Sequence, residues 1–334
     1  MAQDATIDNI LEKARGFMEA ELILTAHEMD IFSIIGGERL TAAEVAGKAS
    51  SSERGMTILL DALCAISLLN KSGNRYGNTP EGRRSLCQGG GDYRGATLDH
   101  LSGMRDIWRR LADSVRTGTT ARKEGESLVN DKKRNRAFIL AMKEIGTPNA
   151  AVIAGHFDLS PYKKLVDLGG GPGSFAIEFL KRNPQMRATL VDLPLTLDVA
   201  KEVIAEAGMS DRIDLKGADF FGDKDADIGS DYDLAIISNV LHIEGEEVNR
   251  RLLKKLFNSM SAPAMVIIHE SIIEENRISP PDRALFAVNM LVHTERGNCY
   301  SFDEMKAWME EAGFEEIAFV DCFERPSLLV GYKR

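Results

Sequence analysis

The chain has 334 residues, 44% hydrophobic and 28% charged, ordinary values for a folded globular protein that exclude a disordered or fibrous one. At roughly 150 residues per domain, this length suggests about two domains. Lys plus Arg number 41 and Asp plus Glu 51, and the resulting net charge of −10 argues against holding nucleic acid over the whole surface. No apolar run approaches the ~18 residues that cross a bilayer. The opening MAQDATIDNILEKARG lacks the basic and apolar segments of a secretion signal. No membrane partner and a cytoplasmic location are therefore expected. Cys64, Cys87, Cys299 and Cys322 are scattered, with no C-x-x-C pair, and the histidines are not spaced as ligands. Neither a disulfide framework nor a metal is expected.

The first half reads as helical. Ile7, Ile10, Leu11, Ala14, Phe17, Met18, Leu22 and Leu24 recur at three- and four-residue spacing, as an amphipathic helix requires. Thr41 followed by Glu44 is a capping box, and Ser51 or Ser52 can cap a second helix with Met56, Leu59, Leu60, Leu63 and Ile66 on one face. SGNRYGNT lies between short extended pieces and predicts a hairpin. Helices followed by a hairpin make a winged-helix arrangement, a relative of DNA-reading folds. Residues 38–86 carry seven basic and five acidic side chains, and ERGMTILLDALCAI offers few polar groups to base edges. A structural or dimerisation role is the better reading, and no nucleic-acid partner is expected. Residues 98–160 are again helical, with Trp108 and Leu111 on one expected buried face and Phe138, Met142 and Ile145 on another.

From about residue 163 the pattern alternates between strand and helix. LVDLGG, ATLVDL, IDLKGAD, DLAIISNVL and AMVIIHES are strand-like, with amphipathic stretches between them. Such alternation predicts a mostly parallel sheet covered by helices on both faces, an α/β fold. EEIAFVDCF and SLLVGYKR, joined by ERP, predict an antiparallel hairpin at one side of that sheet.

VDLGGGPGSF at 166–175 is strand, glycine turn and helix. Gly169, Gly171 and Gly173 let backbone pass close to a ligand, and the first helical turn offers free N–H groups. A dinucleotide fingerprint beginning at Gly169 needs glycine at 174, where Ser174 stands. The leading Asp167 would repel a pyrophosphate and suits a ligand bearing an amino group and a sulfonium. Asp192 ends the next strand, where a carboxylate can accept ribose hydroxyls. Asp219, followed by Phe220, can bond an adenine amino group and stack on its ring. The glycine turn, Asp192, Asp219, His242 and Glu270 follow five successive strands at their carboxyl ends, the rim where open α/β sheets bind ligands.

These motifs together resemble the S-adenosylmethionine-dependent small-molecule O-methyltransferases, the family that includes caffeate, acetylserotonin and bacterial polyketide enzymes. LTAAEVAGKAS, LLDALCAISLL and YGNTPEGRRSL resemble its winged-helix dimerisation domain, WRRLADSVRTG its linker, and VDLGGGPGSF, LVDLP, GADFF, VLH, HES and AGF its Rossmann-like catalytic domain. The resemblance implies a dimerisation domain over 1–97, a helical linker over 98–162 and a catalytic domain over 163–334. It implies a homodimer, a small-molecule acceptor and S-adenosylmethionine as cofactor. Asp167, Gly169, Gly171 and Gly173 would hold the methionine end, Asp192 the ribose, Asp219 and Phe220 the adenine, with Ser238 also at the cofactor. His242 would be the general base and Glu270 the carboxylate behind it. Phe138, Met142, Met290, His293 and Cys299 would line the acceptor pocket.

The pattern also departs from that family. Ile243 stands where an Asp commonly follows the histidine, and Cys299 stands where a second flanking Glu is expected, with Glu295 the nearest substitute in sequence. A neutral thiol cannot supply that charge. Altered chemistry on the same cofactor (carbon, nitrogen or sulfur methylation, decarboxylation or hydroxylation) is the alternative reading. A cofactor-sensing DNA-binding regulator is the alternative from another class.

Overall fold

The computed structural model describes residues 6–123, 131–322 and 327–334. The chain divides into two compact units, Met1–Gly103 and Met104–Arg334.

The first unit begins with α1 (Ile7–Glu28), capped by the Thr6 hydroxyl accepting the Asn9 N–H. The helix forms where its periodicity predicts, yet Ile7, Ile10, Leu11, Phe17 and Met18 are all exposed. Only its last turns, at Leu24 and Ala26, are buried. Next come α2 (Ile31–Ile35), β1 (Leu40–Thr41), α3 (Ala42–Lys48) and α4 (Glu53–Ala65). The Thr41 capping box is present in full, and Ser52 is the residue that caps α4. The predicted hairpin is β2 (Leu69–Ser72) and β3 (Arg75–Asn78), which β1 extends to a three-stranded sheet of order β1-β3-β2. Phe32, Val45, Met56, Leu60, Leu63 and Tyr76 fill the core between helices and sheet. After α5 (Pro80–Ser85), the unit boundary falls within α6 (Gly95–Trp108).

In the second unit, α7 (Leu111–Thr117) and α8 (Lys132–His156) precede a seven-stranded sheet of order β6-β5-β4-β7-β8-β10-β9. Its strands are β4 (Lys164–Leu168), β5 (Arg187–Asp192), β6 (Ile213–Gly217), β7 (Tyr232–Ser238), β8 (Met260–His269), β9 (Glu315–Asp321) and β10 (Ser327–Lys333). The first five pair in parallel, and β10 joins β8 and β9 antiparallel. The link ERP lies outside the described residues.

Strands buried on both faces read as continuous apolar runs, as β4, β7 and β8 do. Leu165, Leu234, Ile236, Met265 and Ile267 meet α8, α9 (Ser174–Arg182) and α10 (Pro194–Glu206) on one face. Val166, Leu168, Ala235, Ile237, Val266 and Ile268 meet α11 (Glu246–Ser259) and α13 (Phe302–Ala312) on the other. Between β8 and α13 runs α12 (Pro281–His293).

Two expectations fail here. Ile145, read as buried, is 47% exposed, because the buried positions of α8 are Asn135, Ile139, Ala141, Ala150, Ile153 and Ala154. Among the described residues α8 is also long and apolar enough, by length and composition, to cross a membrane. Its apolarity has another use: Ala150, Ile153 and Ala154 are packed in the sheet's core, and Arg136 and Lys143 pair with Glu202 and Glu206 of α10.

Candidate active site

Parallel pairing in register brings the ends of β5, β4, β7 and β8 to one edge, with β6 beside them. The glycine turn leaves β4 here. Gly169, Gly171 and Gly173 all have positive φ, at 72°, 54° and 84°. A Cβ on Gly169 would lie 2.5 Å from the Val240 side chain, and one on Gly173 3.0 Å from Leu190. At Gly171 it would meet nothing within 4 Å. The turn is thus sealed from below and open at Gly171, where a ligand can approach bare backbone.

Two acids hold the turn. Asp167 was expected to face the ligand; instead its side chain is fully buried beneath the turn, Oδ2 accepting the Ala176 N–H at 3.0 Å. Its Oδ1 is buried without a hydrogen-bond partner. Burial, opposed by the Ala176 N–H and aided by the charge of Asp192, pushes its carboxyl up to about 7. Asp192, at the end of β5, accepts the Gly171 N–H on Oδ2 at 2.8 Å and the Leu193 N–H on Oδ1 at 2.7 Å. Burial raises its pKa, against those N–H groups. A carboxylate has about four acceptor sites; with the Thr196 side chain also bonding it, one remains for a ligand hydroxyl.

Asp219 is exposed two residues beyond β6, its Oδ1 accepting the Gly222 N–H at 2.8 Å. Phe220 stands beside the turn, its ring tip 3.4 Å from where a Cβ on Gly169 would lie, and packs on Phe221 at 4.9 Å. Ser238, ending β7, bonds His269 Nδ1 through Oγ at 2.9 Å. His269 was not singled out as a site residue. Burial pushes it down to about 4, so it is neutral at physiological pH. An open backbone stretch, an acceptor for a ribose hydroxyl, an aromatic ring and an acid-rich rim fit a cationic adenosyl cofactor.

His242 lies in a short 3-10 turn, Leu241–Ile243, after β7. Its Nδ1 bonds Glu270 Oε2 at 2.8 Å. Glu270, 4% exposed, also accepts the Val240 and Leu241 N–H groups on Oε1, each at 2.7 Å, and the Ser271 N–H on Oε2 at 3.2 Å. Burial alone would raise its pKa; the His242 charge and these hydrogen bonds outweigh it, and the carboxylate stays ionised. A carboxylate on Nδ1 makes Nε2 the ring's proton acceptor. Among the described residues, no other carboxylate comes within bonding distance of His242. Glu295 is exposed and does not substitute.

The expected acceptor side is mixed. Phe138 and Met142 are half-buried on α8. Met290 is buried on α12, and His293 Nδ1 donates to the Asn289 carbonyl at 3.0 Å. Cys299 was expected to line the pocket, but is 1% exposed and turns its thiol to the Arg283 carbonyl at 3.3 Å. Burial, with the charge of Glu270, pushes that thiol up to about 12, so it carries no charge. Three residues of α12 went unread in the sequence. Phe286 meets the His242 ring edge-on at 4.9 Å. Arg283 donates to Ser271 Oγ at 3.3 Å. Asn289 accepts the Trp108 indole N–H at 3.0 Å. Their common signal is helical spacing from Met290 and His293.

The buried Asp167 gives a pH dependence of fixed sign. A carboxyl at about 7 in the folded chain and near 4 unfolded means that the folded state holds an extra proton between those values. Its contribution to stability therefore falls as pH rises through that window. Asp167→Asn keeps an oxygen for the Ala176 N–H and removes the titration. In urea unfolding, the variant should gain on the wild type by on the order of a few kcal/mol between about pH 4 and pH 8. A difference independent of pH would show that the carboxyl is not so perturbed.

Comparison with known proteins shows the family. An O-methyltransferase domain model matches residues 108–315, and an O-methyltransferase dimerisation domain model matches residues 11–87. The chain is 30% identical to a 3-hydroxy-5-methyl-1-naphthoate 3-O-methyltransferase of Streptomyces sahachiroi, over 93% of this chain and 90% of that one. It is 28% identical to acetylserotonin O-methyltransferase of Gallus gallus, over 92% of each. Human N-acetylserotonin methyltransferase, solved in complex with S-adenosylmethionine, superposes with a TM-score of 0.86 at 25% identity, covering 100% of this chain and 99% of that one. With its Rossmann-like sheet, its dimerisation domain and a rim fitted to S-adenosylmethionine, the chain belongs to the S-adenosylmethionine-dependent O-methyltransferase family.

Proposed function

We propose that this methyltransferase alkylates the hydroxyl oxygen of a small aromatic or polyketide-like acceptor, with His242 as general base. The observation that carries this is the buried His242–Glu270 pair at the carboxyl ends of β7 and β8, one strand away from the glycine turn. The S. sahachiroi relative, named for a hydroxynaphthoate, supports the acceptor class.

When bound, S-adenosylmethionine supplies an electrophilic methyl group on a sulfonium. The glycine turn and Asp192 would hold it, with Asp219, Phe220 and Ser238 along the same edge and Asp167 shaping the turn from beneath. The protein's own task is then alignment and proton removal. A phenol of pKa ~10 is mostly protonated at neutral pH. His242 Nε2 takes that proton as the oxygen–carbon bond forms and the carbon–sulfur bond breaks, leaving neutral S-adenosylhomocysteine. Glu270 stabilises the imidazolium and fixes its tautomer. Phe138, Met142, Met290 and His293 would enclose the acceptor, on a chain working in the cytoplasm.

One observation favours a second reading. The imidazole has one carboxylate, and the thiol at Cys299 is neutral, so a nucleophile needing less help (nitrogen, sulfur or carbon) is served equally well. His242→Ala separates them. With a phenolic acceptor, kcat should fall ~10²-fold or more, the usual worth of a general base. Mass spectrometry of the wild-type product should show one added methyl on oxygen. Unchanged turnover in the variant would remove His242 from the chemistry.

We also propose a homodimer. The exposed stripe Ile7, Ile10, Leu11, Phe17 and Met18 is too apolar and contiguous for a solvent-facing helix, and it lies in and beside the matched dimerisation region. Light scattering should give twice the chain's mass. Replacing Phe17 and Met18 by Glu should shift it to the monomer, and a wild-type monomer would refute the assembly.

A further inference from the structure

We propose that Arg283 is a specificity residue that binds a carboxylate on the acceptor, so that the preferred acceptor is an acidic aromatic. This rests on the O-methyltransferase reading above and narrows its substrate class.

The position comes first. Arg283 and Phe286 are three residues apart in α12 and so share a helix face. Phe286 packs edge-on against the His242 ring. The guanidinium is held at the base's other flank as well: Nη1 donates to Ser271 Oγ at 3.3 Å, and the Ser271 N–H bonds Glu270 Oε2 at 3.2 Å. The backbone is pinned too, since the Cys299 thiol donates to the Arg283 carbonyl. Arg283 is therefore tied to both sides of the His242–Glu270 pair.

The charge comes second. The Arg283 side chain is 26% exposed, and its ion pair is a loose one, with Asp282 at 3.7 Å, whose side chain is 67% exposed. Such a pair is screened by water and neutralises little. Glu270 is committed to three backbone N–H groups and His242. Cys299, pressed against this same residue, is an uncharged thiol. A mostly sheltered guanidinium beside the His242–Glu270 pair thus gives one N–H to Ser271, and among the described residues its ion pair is with the exposed Asp282. A planar fork of donors matches a carboxylate in geometry and charge.

The test compares a hydroxynaphthoate with the naphthol of the same skeleton lacking the carboxylate. Both are titrated by calorimetry into the full-length protein loaded with S-adenosylhomocysteine. The wild type should bind the carboxylated compound at least about tenfold more tightly, as a charge-assisted hydrogen bond predicts. Arg283→Met should abolish that ratio, and Arg283→Lys, a point charge without the fork, should leave part of it. Circular dichroism confirms that each variant is folded, and should Met not be, the Lys variant alone decides the ratio. A wild type that does not discriminate, or a ratio retained in the variants, overturns the proposal. Because the readout is binding, it stands apart from turnover: a wild type that discriminates but methylates neither compound would sink the O-methylation reading and leave Arg283 as a carboxylate anchor.

Discussion

A carboxylate buried just beyond β8 organises the part of the rim that carries His242. Glu270 is almost wholly removed from water, which would cost several kcal/mol if nothing replaced its hydration. Three backbone N–H groups and an imidazole replace it. Two of those N–H groups belong to Val240 and Leu241, so satisfying the acid dictates the path of the chain leaving β7 and sets the turn that carries His242. Asn249 of α11 completes the clamp, donating to the carbonyls of Leu241 and Glu244. The imidazole is placed by the same bonds that make the acid tolerable. Truncating Glu270 would therefore remove a tautomer-setting partner and leave buried N–H groups unmet.

The glycine turn obeys a related rule. Backbone with three positive φ angles in five residues needs external bonds to hold one shape. Asp192 supplies one from above through Gly171, and Asp167 one from below through Ala176. These two acids differ in what they have left. Asp192 keeps a lone pair at the open rim, whereas Asp167 is sealed in and pays in protonation energy for its position. A negatively charged rim with a buried acid beneath it is suited to a cation and poorly suited to a pyrophosphate, which separates this turn from a dinucleotide site.

The sequence shows some of this well. Strand–helix alternation, the five polar groups at strand ends and both capping residues, Thr41 and Ser52, are local signals, and each is where its local physics requires. Direction is harder to read. The motif names Asp167 but does not say that its side chain folds under the turn. Cys299 stands where a pocket residue is expected, but its thiol bonds a carbonyl instead. In α8, Phe138, Met142 and Ile145 share a spacing, and Ile145 still faces solvent, because tertiary packing selects which stripe of an apolar helix is buried. Arg283, Phe286 and Asn289 lie in none of the quoted motifs, and His269 lies in HES, which gives it no role. Their relevance arises from contacts across the fold: His242 to Phe286, Ser271 to Arg283, Trp108 to Asn289 and Ser238 to His269.

Methyl transfer to oxygen needs the acceptor's proton gone, and a site can favour that from two sides. It can strengthen the base, which is what carboxylates around an imidazole do. It can also make the acceptor more acidic by placing positive charge where the phenolate forms. In this chain the first device is reduced, since Cys299 is a neutral thiol in place of a second carboxylate. Near the second position stands the Arg283 guanidinium, linked to Glu270 through Ser271; on the proposal above its charge goes to the acceptor's carboxylate. A second carboxylate at Cys299 would adjoin Arg283, and the two would neutralise each other. The thiol and the guanidinium thus form one arrangement, in which a single carboxylate orients the imidazole and a fixed cation bonds the serine beside it.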